Sequence, residues 1–149
     1  YDEYLFELSE LIPATDNVGL YMRVGTGAGP TYEATNYSYA AFRWSSTGSA
    51  VTGATPAAPT TQWRLDGSGG IDNGANYGIW GTLRFMGPNS ALYKKLIGSV
   101  GYVDNAGSPL ACDITGQWQS ATAVTAIRFL MSAGNITSGT IRVYGIAKS

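Results

Sequence analysis

Apolar and polar residues alternate with a period of two along most of the chain. In "NVGLYMRVG" (residues 17–25), Val18, Leu20, Met22 and Val24 occupy one face, and Tyr21 lies on the other. This alternation is typical of a β-strand with one face in a core and the other in water. Segments with this pattern lie at 4–11, 17–25, 37–46, 61–67, 77–86, 93–104, 109–119, 125–132 and 140–147.

Turn-forming residues separate these segments. "DNAGS" (104–108) supplies Asn and Gly, which tolerate the positive φ angles of tight turns. Longer connections at 25–37, 45–61 and 66–78 are predicted as loops. No stretch has a helical period of useful length. Short strands joined in this way predict an all-β, antiparallel β-sandwich, jelly-roll-like, of about eight to nine strands, with residues 1–149 forming one domain.

The composition argues against several classes of function. Charged residues make up 13% of the chain and the net charge is -1, so a basic surface for nucleic acid is not expected. No apolar run approaches the ~18 residues of a membrane span, so membrane insertion is not expected. The chain has no histidine and one cysteine, which removes the usual general base and the Ser-His and Cys-His nucleophile pairs. We expect a protein that is not an enzyme, has no cofactor and buries Cys112 as an inert thiol.

Carboxylates in the loops raise the alternative of a calcium site. Asp66, Asp72 and Asn73 lie close together in the loop at 66–78. Their spacing lacks the ordered pattern of a calcium-binding loop. Hydrogen bonding within turns explains aspartates in such positions, so we predict no metal site.

The chain is rich in aromatic residues, with four tryptophans and ten tyrosines. The tryptophans fall on predicted strands, where core packing explains at least half of the aromatic residues. Tyrosine presents a flat apolar face and a polar edge, which complements the C–H face and the hydroxyl rim of a sugar. The loops at 25–37 and 66–78 combine tyrosine with asparagine and aspartate. The predicted ligand contacts are Tyr32, Asn36, Tyr37, Asp72, Asn73 and Tyr77.

Both ends of the chain resemble a known group of proteins. "YDEYLFELSELIPATDNVGLYMRV" (1–24) and "AIRFLMSAGNITSGTIRVYGIAKS" (126–149) resemble the opening and closing patterns of phage and prophage fibre modules. The resemblance is thin from 45 to 120, and its motifs belong to strands and turns. The matching positions are Tyr1, Tyr4, Pro13, Asp16, Asn17, Leu20, Met22, Arg23, Ile127, Arg128, Phe129, Ser132, Gly134, Asn135, Ile136, Gly139, Thr140, Ile141, Val143, Tyr144 and Gly145.

This resemblance implies a virion protein: a tail-fibre or head-fibre β-sandwich, commonly a homotrimer, that contacts other virion proteins and the host surface polysaccharide. The first residue, Tyr1, is not an initiator methionine and the last predicted strand ends the chain, so we expect the C-terminal module of a longer fibre protein. The leading hypothesis is a receptor-binding module. A capsid decoration protein with a structural role is the second. A polysaccharide depolymerase, acting through two carboxylates or as a tyrosine-based lyase, is the third.

Overall fold

The computed structural model describes residues 1–46, 52–54 and 60–147, and within these ranges it contains strands and no helix. The predicted antiparallel, all-β fold is confirmed. The described ranges contain eleven strands rather than the predicted eight or nine, because they include three short strands, β3, β5 and β6, of two or three residues each. The strands are β1 Glu3–Pro13, β2 Leu20–Thr26, β3 Thr31–Tyr32, β4 Tyr37–Ser45, β5 Thr52–Ala54, β6 Trp63–Arg64, β7 Ile79–Met86, β8 Lys94–Val103, β9 Pro109–Trp118, β10 Ala126–Met131 and β11 Ile136–Ile146.

The strands form two sheets. The large sheet has seven strands in the order β11-β1-β7-β8-β9-β4-β5, and the small sheet contains β10, β2 and β3, with β6 also paired to β2. Strand β5 lies within 45–61 and strand β3 lies within 25–37, so the predictions of continuous loops were wrong for 52–54 and for 31–32. The parts of the 45–61 prediction at 47–51 and 55–59 lie outside the described residues.

The core lies between the sheets, and aromatic rings from both sheets pack against one another in it. Trp63, on the small sheet, is fully buried, with its ring centroid 5.0 Å from that of Tyr37 and 6.1 Å from that of Phe85, both on the large sheet. Gly116 makes room for this indole, because a Cβ at that position would lie 2.6 Å from the Trp63 ring nitrogen. Cys112 is free and buried, and burial raises the pKa of its thiol to about 12, as expected for an inert thiol.

Strand β1 contains a bulge at Glu10. This residue has a φ of 52°, and the pairing of β1 shifts register there against both β7 and β11. The extra residue keeps Leu8 and Leu11 in the core although they are an odd number of positions apart. Gly78 and Gly139, on either side of the bulge, leave space for its backbone. A bulge of this kind redirects a side chain, and here Glu10 is exposed.

Asp66 links the two sheets through its buried carboxylate and its backbone carbonyl. Arg64 donates to the fully buried carboxylate of Asp66 at 2.9 Å, and the backbone N–H of Leu20 donates to the same carboxylate at 3.1 Å. The Tyr102 hydroxyl, from β8 of the large sheet, donates to the Asp66 carbonyl at 2.8 Å. Asp66 therefore belongs to the core, and its carboxylate is not available to a metal ion in the loop.

We predict that Asp66→Ala lowers the free energy of unfolding by about 3 kcal/mol, because it removes the charged partner of the partly buried Arg64 and the acceptor of the Leu20 N–H. The matched control is Glu3→Ala, which removes the more exposed ion pair between Glu3 and Arg84. The control should cost at most about 1 kcal/mol. Urea unfolding of both variants makes the comparison, and equal losses would contradict a stabilising role for the buried pair.

We also predict a loss of stability at high pH. Burial raises the pKa of the Tyr37 and Tyr102 hydroxyls from 10.0 to about 12. The unfolded chain releases these protons at lower pH than the folded chain, so their contribution is complete below about pH 10 and is lost as the pH rises toward 12. Two pKa units correspond to about 3 kcal/mol for each tyrosine.

Urea unfolding as a function of pH tests this. Tyr37→Phe and Tyr102→Phe should each flatten the decline in stability above about pH 10. Tyr1→Phe, at a ring that is 69% exposed, is the control and should leave the decline unchanged. An unchanged decline in both buried variants would show that other groups cause it.

Candidate functional site

The structure places Tyr37 in the core rather than in a ligand-binding loop. Its ring is fully buried, its hydroxyl donates to the Glu33 carbonyl at 3.2 Å, and the Val24 N–H donates to that hydroxyl at 2.9 Å. The ring is closed to a ligand approaching from solution. The prediction of Tyr37 as a ligand contact is therefore corrected: this residue packs between the sheets.

The two predicted binding loops lie at opposite ends of the sandwich. Ile71 forms bridges with Val18 and Asp104, which places the loop at 66–78 beside the start of β9. The Asn36 carbonyl accepts from the Gln119 N–H, just beyond the end of β9. The ten residues of β9 separate the two ends by roughly 30 Å. The loops therefore do not form one contact surface.

The remaining predicted residues serve mainly in local structure. Asn36 is exposed with a φ of 67°, and the half-buried Tyr32 ring lies 5.4 Å from the Arg128 guanidinium carbon. The Asp72 carboxylate accepts from the Gly74 N–H at 2.6 Å, which is turn bonding, and Asn73 is exposed. Across the described ranges, no group of three or more acidic, cysteine or histidine side chains is placed to hold a metal ion.

The outer face of the large sheet carries the most distinctive exposed surface. Trp80 on β7 is 44% exposed and Trp44 on β4 is 41% exposed. The pairing connects them across the sheet through two small residues: Trp80 opposes Gly101, which opposes Ala111, which opposes Trp44. Three strand spacings separate β7 from β4, or roughly 14 Å. The two indoles therefore flank a low floor.

We call this space the tryptophan trough. It has a volume of about 600 Å³ and is bordered by Trp44, Trp80, Ser99, Gly101 and Ala111, among others. The Trp80 indole lies across Gly101, where an added Cβ would come within 2.6 Å of the ring. The missing side chain at Gly101 thus allows an aromatic ring to lie against the sheet.

A second space, the acidic hollow, adjoins the other side of Trp80. It has a volume of about 710 Å³. Strand β1 supplies two carboxylates, and the end of the loop at 66–78 supplies the facing wall. The hollow is lined by Glu7, Leu8, Ser9, Glu10, Ala75, Asn76, Tyr77, Trp80, Gly81 and Thr82.

The carboxylates of the hollow are accessible. The Tyr144 hydroxyl donates to Glu7 at 3.1 Å, and neither Glu7 nor Glu10 forms an ion pair with any described residue. Of the predicted contacts, Tyr77 alone lies in this hollow, and its ring is 38% exposed. Trp80 and Gly81 border both spaces, so the trough and the hollow adjoin on the outer face, and we call the two together the groove.

Sequence reasoning missed four residues of this groove: Trp44, Trp80, Glu7 and Glu10. A signal existed for Trp80, because Ile79, Leu83 and Phe85 define the core face of β7 and place Trp80 on the opposite face. The sequence also contains a signal for the bulge at Glu10, because the apolar residues Leu8 and Leu11 are three positions apart and break the period of two. No comparable signal marks Trp44, because both faces of β4 carry aromatic residues.

Comparisons with known proteins do not identify a family for this chain. No protein-family model, no curated protein and no solved structure matches this chain. In the part of the chain that the structure describes, no helix has the length and apolar character needed to cross a membrane.

Proposed function

We propose that the domain is a non-enzymatic module that binds a polysaccharide of a host cell surface in the groove on its outer face. The observation that carries the proposal is the exposure of Trp44, Trp80 and Tyr77 around two adjoining spaces of the same sheet face. The resemblance of the two chain ends to phage fibre modules supports the setting, a virion fibre that contacts its host.

The shape of the groove suits a carbohydrate chain. Each space has the volume of an ordinary small-ligand site, and the groove is open, so a chain can run through without a free end. The indoles offer apolar faces to the C–H faces of sugars. The hydroxyls of Ser9 and Thr82 and the amide of Asn76 lie among the lining residues, where they can hydrogen-bond to sugar hydroxyls.

The positions of the aromatic residues favour binding without large rearrangement. Trp44 and Trp80 project from paired strands in the interior of the seven-stranded sheet, and Trp80 lies against the backbone of its neighbour. Side chains held on a rigid scaffold lose less conformational entropy on binding than side chains of mobile loops. Flat aromatic surfaces held in place are typical of sites for repeating sugars.

We predict that Trp80→Ala weakens binding to the polysaccharide by about 1–3 kcal/mol, and Trp44→Ala by a similar amount, because each removes an aromatic wall of the groove. Gly101→Ala should also weaken binding, because its methyl group displaces the Trp80 indole. Both tryptophan variants should remain folded, since both side chains lie on the outer face of the sheet rather than in the core.

Adsorption to bacterial cells and an array of bacterial surface polysaccharides supply the measurements. The matched control is Tyr93→Ala, which removes a 50% exposed ring outside the groove. The control should bind like the unaltered protein. Unchanged binding by Trp44→Ala and Trp80→Ala would refute the proposed function, as would failure of the unaltered protein to bind any surface polysaccharide.

A structural role in the virion is the second candidate, and an apolar flank of the sandwich favours it. In the described strand order, β11 ends the large sheet and β10 ends the small one. Val143 opposes the buried Phe6 and so faces the core side, yet it is 53% exposed. A space of about 300 Å³ between the sheets opens here beside Tyr4, Phe6, Ile127 and Val143. Exposed strand edges and apolar side chains of this kind favour contact with another chain.

We propose a further copy of this chain as the occupant, in line with the homotrimer that the resemblance implies. The unaltered protein should then scatter light as a trimer at micromolar concentration. Val143→Arg should shift it toward the monomer, because it places a charge in the apolar contact. Thr140→Arg on the same strand, at an exposed position opposite Ser9, is the control. A monomer of unaltered protein, or a trimer that persists in Val143→Arg, would contradict assembly through this flank.

A further inference from the structure

The two parts of the groove differ in charge. The tryptophan trough is bordered by two indoles, small residues and serine hydroxyls, and none of its lining residues is charged. The acidic hollow has two carboxylates, Glu7 and Glu10, beside Trp80 and Tyr77. A polysaccharide that spans the groove contacts both parts. The hollow can therefore discriminate between sugars by their charge, which the uncharged trough cannot do.

Among the described residues, no cation forms an ion pair with the carboxylates of the hollow. Arg142 is the cross-strand partner of Glu7 but forms no ion pair with it, and the Tyr144 hydroxyl occupies one oxygen of Glu7 instead. Arg84, on the adjacent strand β7, is paired with Glu3. Among the described residues, Glu7 and Glu10 therefore keep oxygens that are free to accept hydrogen bonds from a ligand.

We infer that the acidic hollow selects the charge of the bound sugar: it accepts neutral and amino sugars and rejects sugars that carry carboxylate groups. Ionised carboxylates only accept hydrogen bonds, so they bind the hydroxyl and ammonium donors of a sugar through strong charge-assisted contacts. A uronic acid or sialic acid would place a third negative charge beside Glu7 and Glu10. This inference rests on the proposed function and assigns its specificity.

The bulge in β1 is what brings the second carboxylate to this face. In a regular strand, the side chain of Glu10 would point to the same side as Leu8, into the core. The extra residue instead lets Leu11 take the core position and leaves Glu10 exposed beside Ser9 and Glu7. The glycines at 78 and 139 accommodate the bulge on both sides.

The test uses three tetrasaccharides that differ in charge: glucosamine, N-acetylglucosamine and galacturonic acid. Isothermal titration of the whole domain at mildly acidic pH and low salt should give the tightest binding for the glucosamine oligomer. The galacturonic acid oligomer should bind at least about tenfold more weakly than the N-acetylglucosamine oligomer. Added salt should weaken binding of the glucosamine oligomer and leave the N-acetylglucosamine oligomer nearly unaffected.

Substitution of the carboxylates tests their role directly. The double variant Glu7→Gln, Glu10→Gln keeps the size of both side chains and should remove the charge preference: the glucosamine oligomer loses about tenfold and the galacturonic acid oligomer gains. Asp113→Asn, at an exposed carboxylate of β9 that lines neither the hollow nor the trough, is the control and should keep the preference. Circular dichroism verifies that each variant is folded.

Three outcomes would overturn the inference. These are equal binding of the galacturonic acid oligomer, an unchanged preference in the double variant, and no binding of any of the three probes by the unaltered protein. The proposed function has a separate readout. If Trp80→Ala abolishes binding to cells while the double variant retains the charge preference, the inference fails and the proposed function stands.

Discussion

The hydrogen bonds of Asp66, at the point where β6 gives way to the loop at 66–78, fix the start of that loop between the two sheets. The Asp66 carboxylate accepts hydrogen bonds from the Arg64 guanidinium and from the Leu20 N–H on the small sheet. The backbone carbonyl of Asp66 accepts from the Tyr102 hydroxyl on the large sheet. The chain continues from this point into the loop at 66–78. The loop then passes beside the end of β8, where the Asp72 N–H donates to the Val103 carbonyl, and it ends with Tyr77 on the wall of the acidic hollow.

The two tryptophans of the groove lie on strands rather than on loops, which lowers the conformational entropy that they lose on binding. Trp44 and Trp80 lie on strands that are paired on both sides, and the register of β7, β8, β9 and β4 sets the distance between them. The same register places Gly101 and Ala111 beneath the trough. The hydrogen bonding of the sheet therefore sets the backbone positions from which both rings project, so a ligand has only side chains to order when it binds.

Much of the fold was predictable because alternation reports which side of a strand is buried. On β7 the face that carries Ile79 is wholly apolar. Trp80 is the next residue and so lies on the opposite face, which predicts that it is exposed. On β4 the tyrosines and the pair Phe42 and Trp44 occupy opposite faces, and both faces are aromatic. Parity then leaves the buried face undetermined, which explains why Tyr37 was predicted as a contact and Trp44 was not.

Other features depend on contacts between distant parts of the chain, which no local pattern contains. The separation of the loops at 25–37 and 66–78 results from the strand order of the sheets. Lys94 is another case: its ammonium group is fully buried and donates to the backbone carbonyls of Ser90, Leu92 and Ser120. Burial lowers the pKa of this amine, and a charged residue on the core face of β8 contradicts the simple rule that such faces are apolar.

The groove and the apolar flank occupy different sides of the sandwich, and this separation makes their proposed roles compatible. The groove crosses the outer face over β1, β7, β8, β9 and β4, whereas the flank opens between the sheets at β10 and β11. Copies that pack through the flank would leave each groove open. A trimer would then present three grooves to a repeating polysaccharide, and simultaneous binding would raise the overall affinity well above that of one groove. Weak contacts in each open groove would suffice for firm attachment.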